Sequence, residues 1–191
     1  LSSMDEMEVE ILYLPESELL IRGRHNAMNA LAALALTGAV GVSQQAAIGT
    51  LRTYKGEPHR VELVRTVKGR DFIDDSKGTN VGAVAAAVTG LAGQDFAPLA
   101  DVLKGRAVRA ALIGKDADEI GRATEAAGVP SEKFPTLEDA VDGLWKESRE
   151  GDIILLSPAC ASWDMFRDYA ERSERFKRAA ARIAEREESE A

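Results

Sequence analysis

Apolar residues recur along this chain in short runs separated by turn chemistry, and the pattern changes near Pro58. Before that point, Met7 to Tyr13 alternates enough for a strand, and Leu19-Leu20-Ile21 reads as a second. Pro15-Glu16-Ser17-Glu18 between them is turn-like. Arg22-Gly23-Arg24-His25-Asn26 then leads into an Ala/Leu-rich helix, about Ala27 to Thr37, punctuated by Gly38 and Gly41. Ser43 is a good N-cap for a helix over Gln44 to Tyr54. From His59 the rhythm differs. Val61 to Arg65 and Arg70 to Ile73 predict two strands of a hairpin around Lys68-Gly69. A helix over Val81 to Leu91 follows, then a strand over Ala107 to Ile113 and a helix over Asp116 to Ala127. Lys133-Phe134 is short and extended, Leu137 to Glu150 helical, and Asp152 to Leu156 an apolar strand. Helix resumes at Trp163 with a loose break near Ser173, and Phe176, Ala179, Ala180 and Ile183 then fall at helical spacing.

Strands that alternate with helices predict βαβ units. The fold class is therefore α/β: a Rossmann-like, mostly parallel sheet flanked by helices over residues 58–191, preceded by the end of another α/β domain over 1–57. One stretch breaks the alternation. Between Leu91 and Pro98 helix follows helix with no strand between, which this architecture does not expect.

Composition narrows the partners. The 191 residues are 45% hydrophobic, enough for an ordinary core. A net charge of −8 with no basic cluster argues against nucleic acid and anionic membrane. The single cysteine, Cys160, permits no internal disulfide and fits a reducing cytoplasm. The polar, acidic start is not a signal peptide, and a chain that opens without Met and runs into a strand reads as the middle of a longer protein.

Chemistry gathers in two runs, Ile73-Asp74-Asp75-Ser76-Lys77-Gly78-Thr79-Asn80 and Leu155 to Phe166. Each is a strand that passes through small, polar and charged residues into a helix, which is where open α/β sheets hold ligands. In the first, Lys77 suits an anionic group, Asp75 a ribose hydroxyl, and Thr79 with helix N–H groups a carboxylate or phosphate; an ordinary capped loop is the alternative. In the second, Ser162 donates to a carboxylate or caps the next helix, and Cys160 reads as a small buried hydrophobe. His59-Arg60 opens the second domain, where Arg60 either reaches a phosphate or makes a hinge salt bridge. Asn26 and Asn29 suit an adenine edge, or else His25-Asn26 is a cap. There is no GxxxxGK[ST] loop, no acidic cluster shaped for Mg²⁺, and no Ser-His-Asp set. A non-catalytic nucleotide- or amino-acid-binding module is the rival class.

Taken together, four runs resemble the Mur ligases. They are Gly23 to Leu34, Pro58-His59-Arg60-Val61-Glu62, Asp74 to Gly82, and Leu155 to Phe166. The Asp-Ser-Lys-x-Thr-Asn form is that of the family's D-glutamate-adding branch. The resemblance spans about Leu20 to Phe176 and implies an ATP-dependent, cytoplasmic, monomeric enzyme of peptidoglycan synthesis. This chain would supply the end of its central ATPase domain and its C-terminal domain. It implies ATP and Mg²⁺ as cofactors, with the metal ligands outside this chain. It implies UDP-N-acetylmuramoyl-L-alanine and D-glutamate as substrates. By resemblance, Asn26, Asn29, His59, Arg60 and Asp75 bind the nucleotide and Lys77 lies by the reacting groups. Thr79, Ser162, Trp163 and Tyr169 hold D-glutamate. Trp163 and Tyr169 depart from the aliphatic residue and Phe often found there. The family also has a strand and a Gly-rich loop with a substrate-binding Lys where this chain breaks its rhythm, and both are missing here.

Overall fold

The computed structural model describes residues 14–78, 99–158 and 164–190. These form two compact units, 14–22 with 26–55, and 23–25 with 56–190.

In the first unit, Glu16–Glu18 is a single 3₁₀ turn. Helices α1, Arg24–Ala39, and α2, Gln44–Thr53, follow. The Ser43 hydroxyl accepts the N–H of Ala46, the cap that the sequence predicts for α2. The strand expected at Leu19-Leu20-Ile21 is absent. The backbone closes on itself instead, with Glu18 N–H donating to Pro15 O and Leu19 N–H to Glu16 O, both at 3.0 Å. Those local bonds satisfy groups that a strand would have to pair elsewhere.

The second unit begins with the predicted hairpin. Strand β1, Glu62–Val67, pairs antiparallel with β2, Arg70–Asp74. Lys68 (φ 43°) and Gly69 (φ 72°) both lie in the left-handed region, the two-residue turn whose twist matches the strands it joins. Helix α3 is Leu99–Leu103 and β3 is Ala110–Leu112. Next come α4, Ala117–Ala126; β4, Ser131–Lys133; α5, Leu137–Glu147; β5, Ile153–Leu156; and α6, Tyr169–Ser189. β5 adds to β2 in parallel, giving the order β1-β2-β5, while β3 and β4 form a separate parallel pair. The α/β class and the parallel pairings agree with the sequence pattern. The single continuous sheet does not: among the described residues it is divided between β5 and β3.

The core lies between the larger sheet and α5 and α6. Phe72 stacks on Trp145, ring centres 5.8 Å apart, and meets Phe176 at 6.1 Å. Val141, Ile154, Ala179, Ala180 and Ile183 fill the space around them. Burial of one such side chain stabilises by about 1.5–3 kcal/mol. The edges are closed by polar groups. Arg70 lies 4.0 Å over the Trp145 ring, and Trp145 Nε1 donates to Glu187 at 3.0 Å.

The C-terminal helix corrects a second expectation. It starts at Tyr169 rather than Trp163, because residues 164–168 form turns and the Asp168 carboxylate accepts the N–H of Glu171 as N-cap. It does not break at Ser173, which is fully buried and donates its hydroxyl to Asp74. A mid-helix serine is disfavoured when its hydroxyl competes for the backbone, and this one is engaged elsewhere. The strand expected at Met7 to Tyr13, the helix expected at Val81 to Leu91, the stretch Leu91 to Pro98, and Thr79, Asn80, Cys160, Ser162 and Trp163 lie outside the described residues.

Candidate functional site

The carboxyl ends of β2 and β5 meet. The strands are parallel with Asp74 opposite Leu156, so the two loops flagged in the sequence leave the same end of the sheet. Asp75 N–H donates to Leu156 O at 2.8 Å, and Ser157 Oγ donates to Asp75 Oδ2 at 2.8 Å, joining one loop to the other. A third loop joins them: Asp164 Oδ2 accepts the N–H of Lys115, just beyond β3, at 2.8 Å.

The Asp74–Gly78 segment is held from all sides. Asp74 is fully buried and anionic groups there need partners. Its Oδ1 accepts the backbone N–H (2.9 Å) and hydroxyl of Ser76, and its Oδ2 meets Ser173 Oγ and His59 Nδ1 (3.1 Å). Lys177 Nζ stands 4.0 Å from Asp74 and 3.0 Å from Glu62. Arg172, almost wholly buried on α6, donates to Ser76 O at 2.8 Å. Lys77 N–H donates to His59 O at 3.1 Å, and Gly78 N–H to Asp75 O at 2.8 Å. A Cβ on Gly78 would lie 2.5 Å from Asp75 Oδ2 and 3.0 Å from Ser157 Oγ, so this turn has room only for glycine.

The approach to this loop is strained. His59 (φ 67°) and Val61 (φ 48°) are both left-handed, and a β-branched residue there is a true outlier. Each such residue costs about 1–3 kcal/mol. The bend directs Val61 N–H onto Asp75 Oδ1 at 3.3 Å and lets Glu62 cap the His59 N–H at 2.9 Å.

The candidate residues divide by environment. Burial pushes the Asp75 carboxyl above its usual range. The Ser157 and Val61 donors work against that, Asp74 adds to it, and Arg60 opposes it. Lys77 extends over the Tyr169 ring, 5.5 Å from its centre, and that ring meets His59 edge-on at 5.6 Å. Among the described residues, neither Lys77 nor Arg60 makes an ion pair. The His59 ring faces inward, its Nδ1 2.7 Å from Ser173 Oγ. The structure thus brings together His59, Asp75, Lys77 and Tyr169, with exposed Arg60 close enough to act on the Asp75 charge. Asn26 and Asn29 belong to the other unit, one turn apart on α1. Asn26 Nδ2 donates to Arg22 O at 2.8 Å, and Asn29 Nδ2 to Asn26 Oδ1 at 3.4 Å. His25 beside them is held below its usual range by burial.

Three side chains that sequence reasoning missed carry this geometry: Asp74, Arg172 and Ser173. Only Asp74 gave a signal, as a charge at a strand end. His59, Glu62 and Asp74 also bring three metal-ligating atoms within 4.8 Å of one another. Lys177 already sits against that acidic pair, and a cation would have to displace it.

A parallel α/β unit with an Asp-Ser-Lys loop anchored at its strand ends is of Rossmann-like class. The family description "Mur ligase, glutamate ligase domain" matches residues 59–160. The chain is 48% identical over 183 residues to the UDP-N-acetylmuramoylalanine--D-glutamate ligases of Burkholderia mallei (strain SAVP1) and Burkholderia pseudomallei (strain K96243). Those alignments cover 90% of this chain and 36% of each relative's length. In fold it is similar to the UDP-N-acetylmuramate-alanine ligase MurC of Thermotoga maritima. That match has a TM-score of 0.64 and 19% identity, and covers 91% of this chain and 40% of that one. The chain belongs to the Mur ligase family.

Proposed function

We propose that this chain is the C-terminal part of an ATP-dependent, cytoplasmic ligase that joins D-glutamate to UDP-N-acetylmuramoyl-L-alanine in peptidoglycan synthesis. The observation that carries the reading is the joined end of β2 and β5, where Lys77 has no carboxylate partner among the described residues while Asp75 is fixed beside it. A lysine and an arginine that make no ion pair among the described residues fit an anionic nucleotide and a dicarboxylate amino acid. The named activity of the Burkholderia relatives adds the identity of that amino acid.

Each residue then has a task. Asn26 and Asn29 offer amides to adenine. Asp75 accepts from the ribose, and Arg60 faces phosphate. Lys77 lies by the reacting carboxylate and neutralises charge as it is phosphorylated. Thr79, Ser162, Trp163 and Tyr169 hold D-glutamate so that its amine faces the acyl carbon. The new C–N bond forms there, the C–O bond to phosphate breaks, and the amine loses a proton. His59 positions the Asp75–Lys77 turn through its carbonyl. Mg²⁺, held by groups outside this chain, supplies charge neutralisation to the phosphates. The main contribution of the domain is proximity and exclusion of water.

Amide NMR of the ¹⁵N-labelled chain tests the reading. D-glutamate is expected to shift Lys77, Gly78 and Ser157 more than L-glutamate does, and ATP to shift Asn26 and Asn29. Equal responses to both enantiomers, or none, would overturn the substrate assignment.

A further inference from the structure

Lys77 sits in a tight turn. Gly78 N–H donates to Asp75 O at 2.8 Å, so Asp75 to Gly78 is a β-turn with Ser76 and Lys77 at its centre. The turn's own hydrogen bond leaves the peptide between those two central residues unheld. Types I and II of such a turn differ by rotation of that one peptide, which takes φ of the third residue from negative to positive. Lys77 is the third residue, and it is not left-handed: among the described non-glycine residues only His59, Val61 and Lys68 are.

Both poles of this peptide are held from outside the turn. The Ser76 carbonyl accepts from Arg172 Nη2 at 2.8 Å, and the Lys77 N–H donates to His59 O at 3.1 Å. The carbonyl and N–H of a trans peptide point in opposite directions, so the two grips come from opposite sides. One is the bend that precedes β1, the other the first turn of α6. Tyr169 stands three residues before Arg172, on the same face of that turn, and the Lys77 ammonium lies 5.5 Å from its ring centre. The first turn of α6 thus meets Lys77 twice, at the peptide through Arg172 and at the ammonium through Tyr169.

Arg172 is 2% exposed. An apolar side chain of that volume would fill the position without desolvating a charge, so packing alone does not call for arginine. What an apolar side chain cannot do is donate to Ser76 O.

We propose that Arg172 is a positioning residue for Lys77. Its hydrogen bond fixes the central peptide of the turn in one orientation, and with it the Cα from which the Lys77 ammonium reaches an anionic substrate group. A shift of about 1 Å at such a group can cost on the order of 100-fold in rate. The proposal rests on the ligase reading only in taking Lys77 to meet substrate.

The test uses the ¹⁵N-labelled 191-residue chain with Arg172→Met, Arg172→Gln and Arg172→Lys. Methionine has no donor, the glutamine amide falls two bonds short of Ser76 O, and the lysine ammonium falls one bond short. Hydrogen exchange at the Lys77 amide is expected to quicken about tenfold in the first two variants, the loss of one charge-assisted hydrogen bond, and much less in the third. The Asp75 amide, bonded to Leu156 O, is expected to stay as it was. D-glutamate affinity from shift titration is expected to fall about tenfold with methionine or glutamine and to recover with lysine. Unchanged Lys77 exchange in a folded methionine or glutamine variant overturns the proposal. Equal quickening at Asp75, or failure of both variants to fold, marks a merely structural role and overturns it too. If D-glutamate gives no response even with Arg172 in place, the ligase reading fails, and the exchange rates alone decide the grip on Lys77.

Discussion

At the scale of single residues, Asp74 and Asp75 stand side by side at a strand end, both buried. Asp74 is surrounded by donors; Asp75 is pushed up by burial. A carboxyl raised in the folded state binds more protons folded than unfolded, so its contribution to stability falls as pH rises from the ordinary carboxyl value through the raised one. Asp75→Asn is therefore expected to raise Tm at neutral pH and flatten that part of the pH–stability curve, while weakening nucleotide binding. A calorimetric series from pH 3 to 8 checks the sign. Ser173→Ala leaves buried Asp74 one donor short and is expected to cost about 1–3 kcal/mol in urea unfolding. Much of this site was legible in the chain: the Asp75–Lys77 run announces itself as charge placed after an apolar strand. The partners of Asp74 were not legible. Ser173 lies 99 residues away, and a lone serine in a helical stripe looks like a weak point until the carboxylate it serves is known.

At the scale of elements, α6 packs on the sheet and also anchors the site. Its apolar stripe of Phe176, Ala179, Ala180 and Ile183 was readable from spacing, and all four are buried. Phe176→Ala is expected to cost about 3–5 kcal/mol, measured by urea denaturation, because the void falls between α6 and Phe72. The Arg175 guanidinium donates twice to Glu138, at 2.8 and 2.6 Å, tying α6 to α5 and holding the Glu138 carboxyl below its usual range. A lowered carboxyl gives stability that is present above its ordinary value and lost as pH falls through the lowered one, opposite in sign to Asp75. Glu138→Gln is expected to lose less than about 1 kcal/mol at neutral pH and nothing at low pH. The hairpin and the α2 cap were legible because turn and cap chemistry is local. The Leu19-Leu20-Ile21 strand failed because three apolar residues in a row do not reveal whether a partner lies alongside.

At the scale of the molecule, the chain spans 36% of the length of the ligases it matches and carries no GxxxxGK[ST] loop. It is expected to show no ATP-dependent turnover by itself. ADP release that depends on both D-glutamate and UDP-N-acetylmuramoyl-L-alanine, measured on the isolated 191-residue chain, would contradict that. The α/β class was legible in the alternation of elements. The division of the sheet between β5 and β3 was not, because strand order depends on long-range pairing.

The bond between Asp74 and Ser173 has a consequence for how the chain is made. Translation adds about 5–20 residues per second, so the 99 residues separating the two take roughly 5–20 s to appear. Throughout that interval the nascent hairpin carries a carboxylate destined for burial and Phe72 without Phe176 to cover it. The strand-end loop therefore cannot close while the polypeptide is growing past it. It locks only when α6 leaves the ribosome, so a segment made 99 residues later completes the first half of the site.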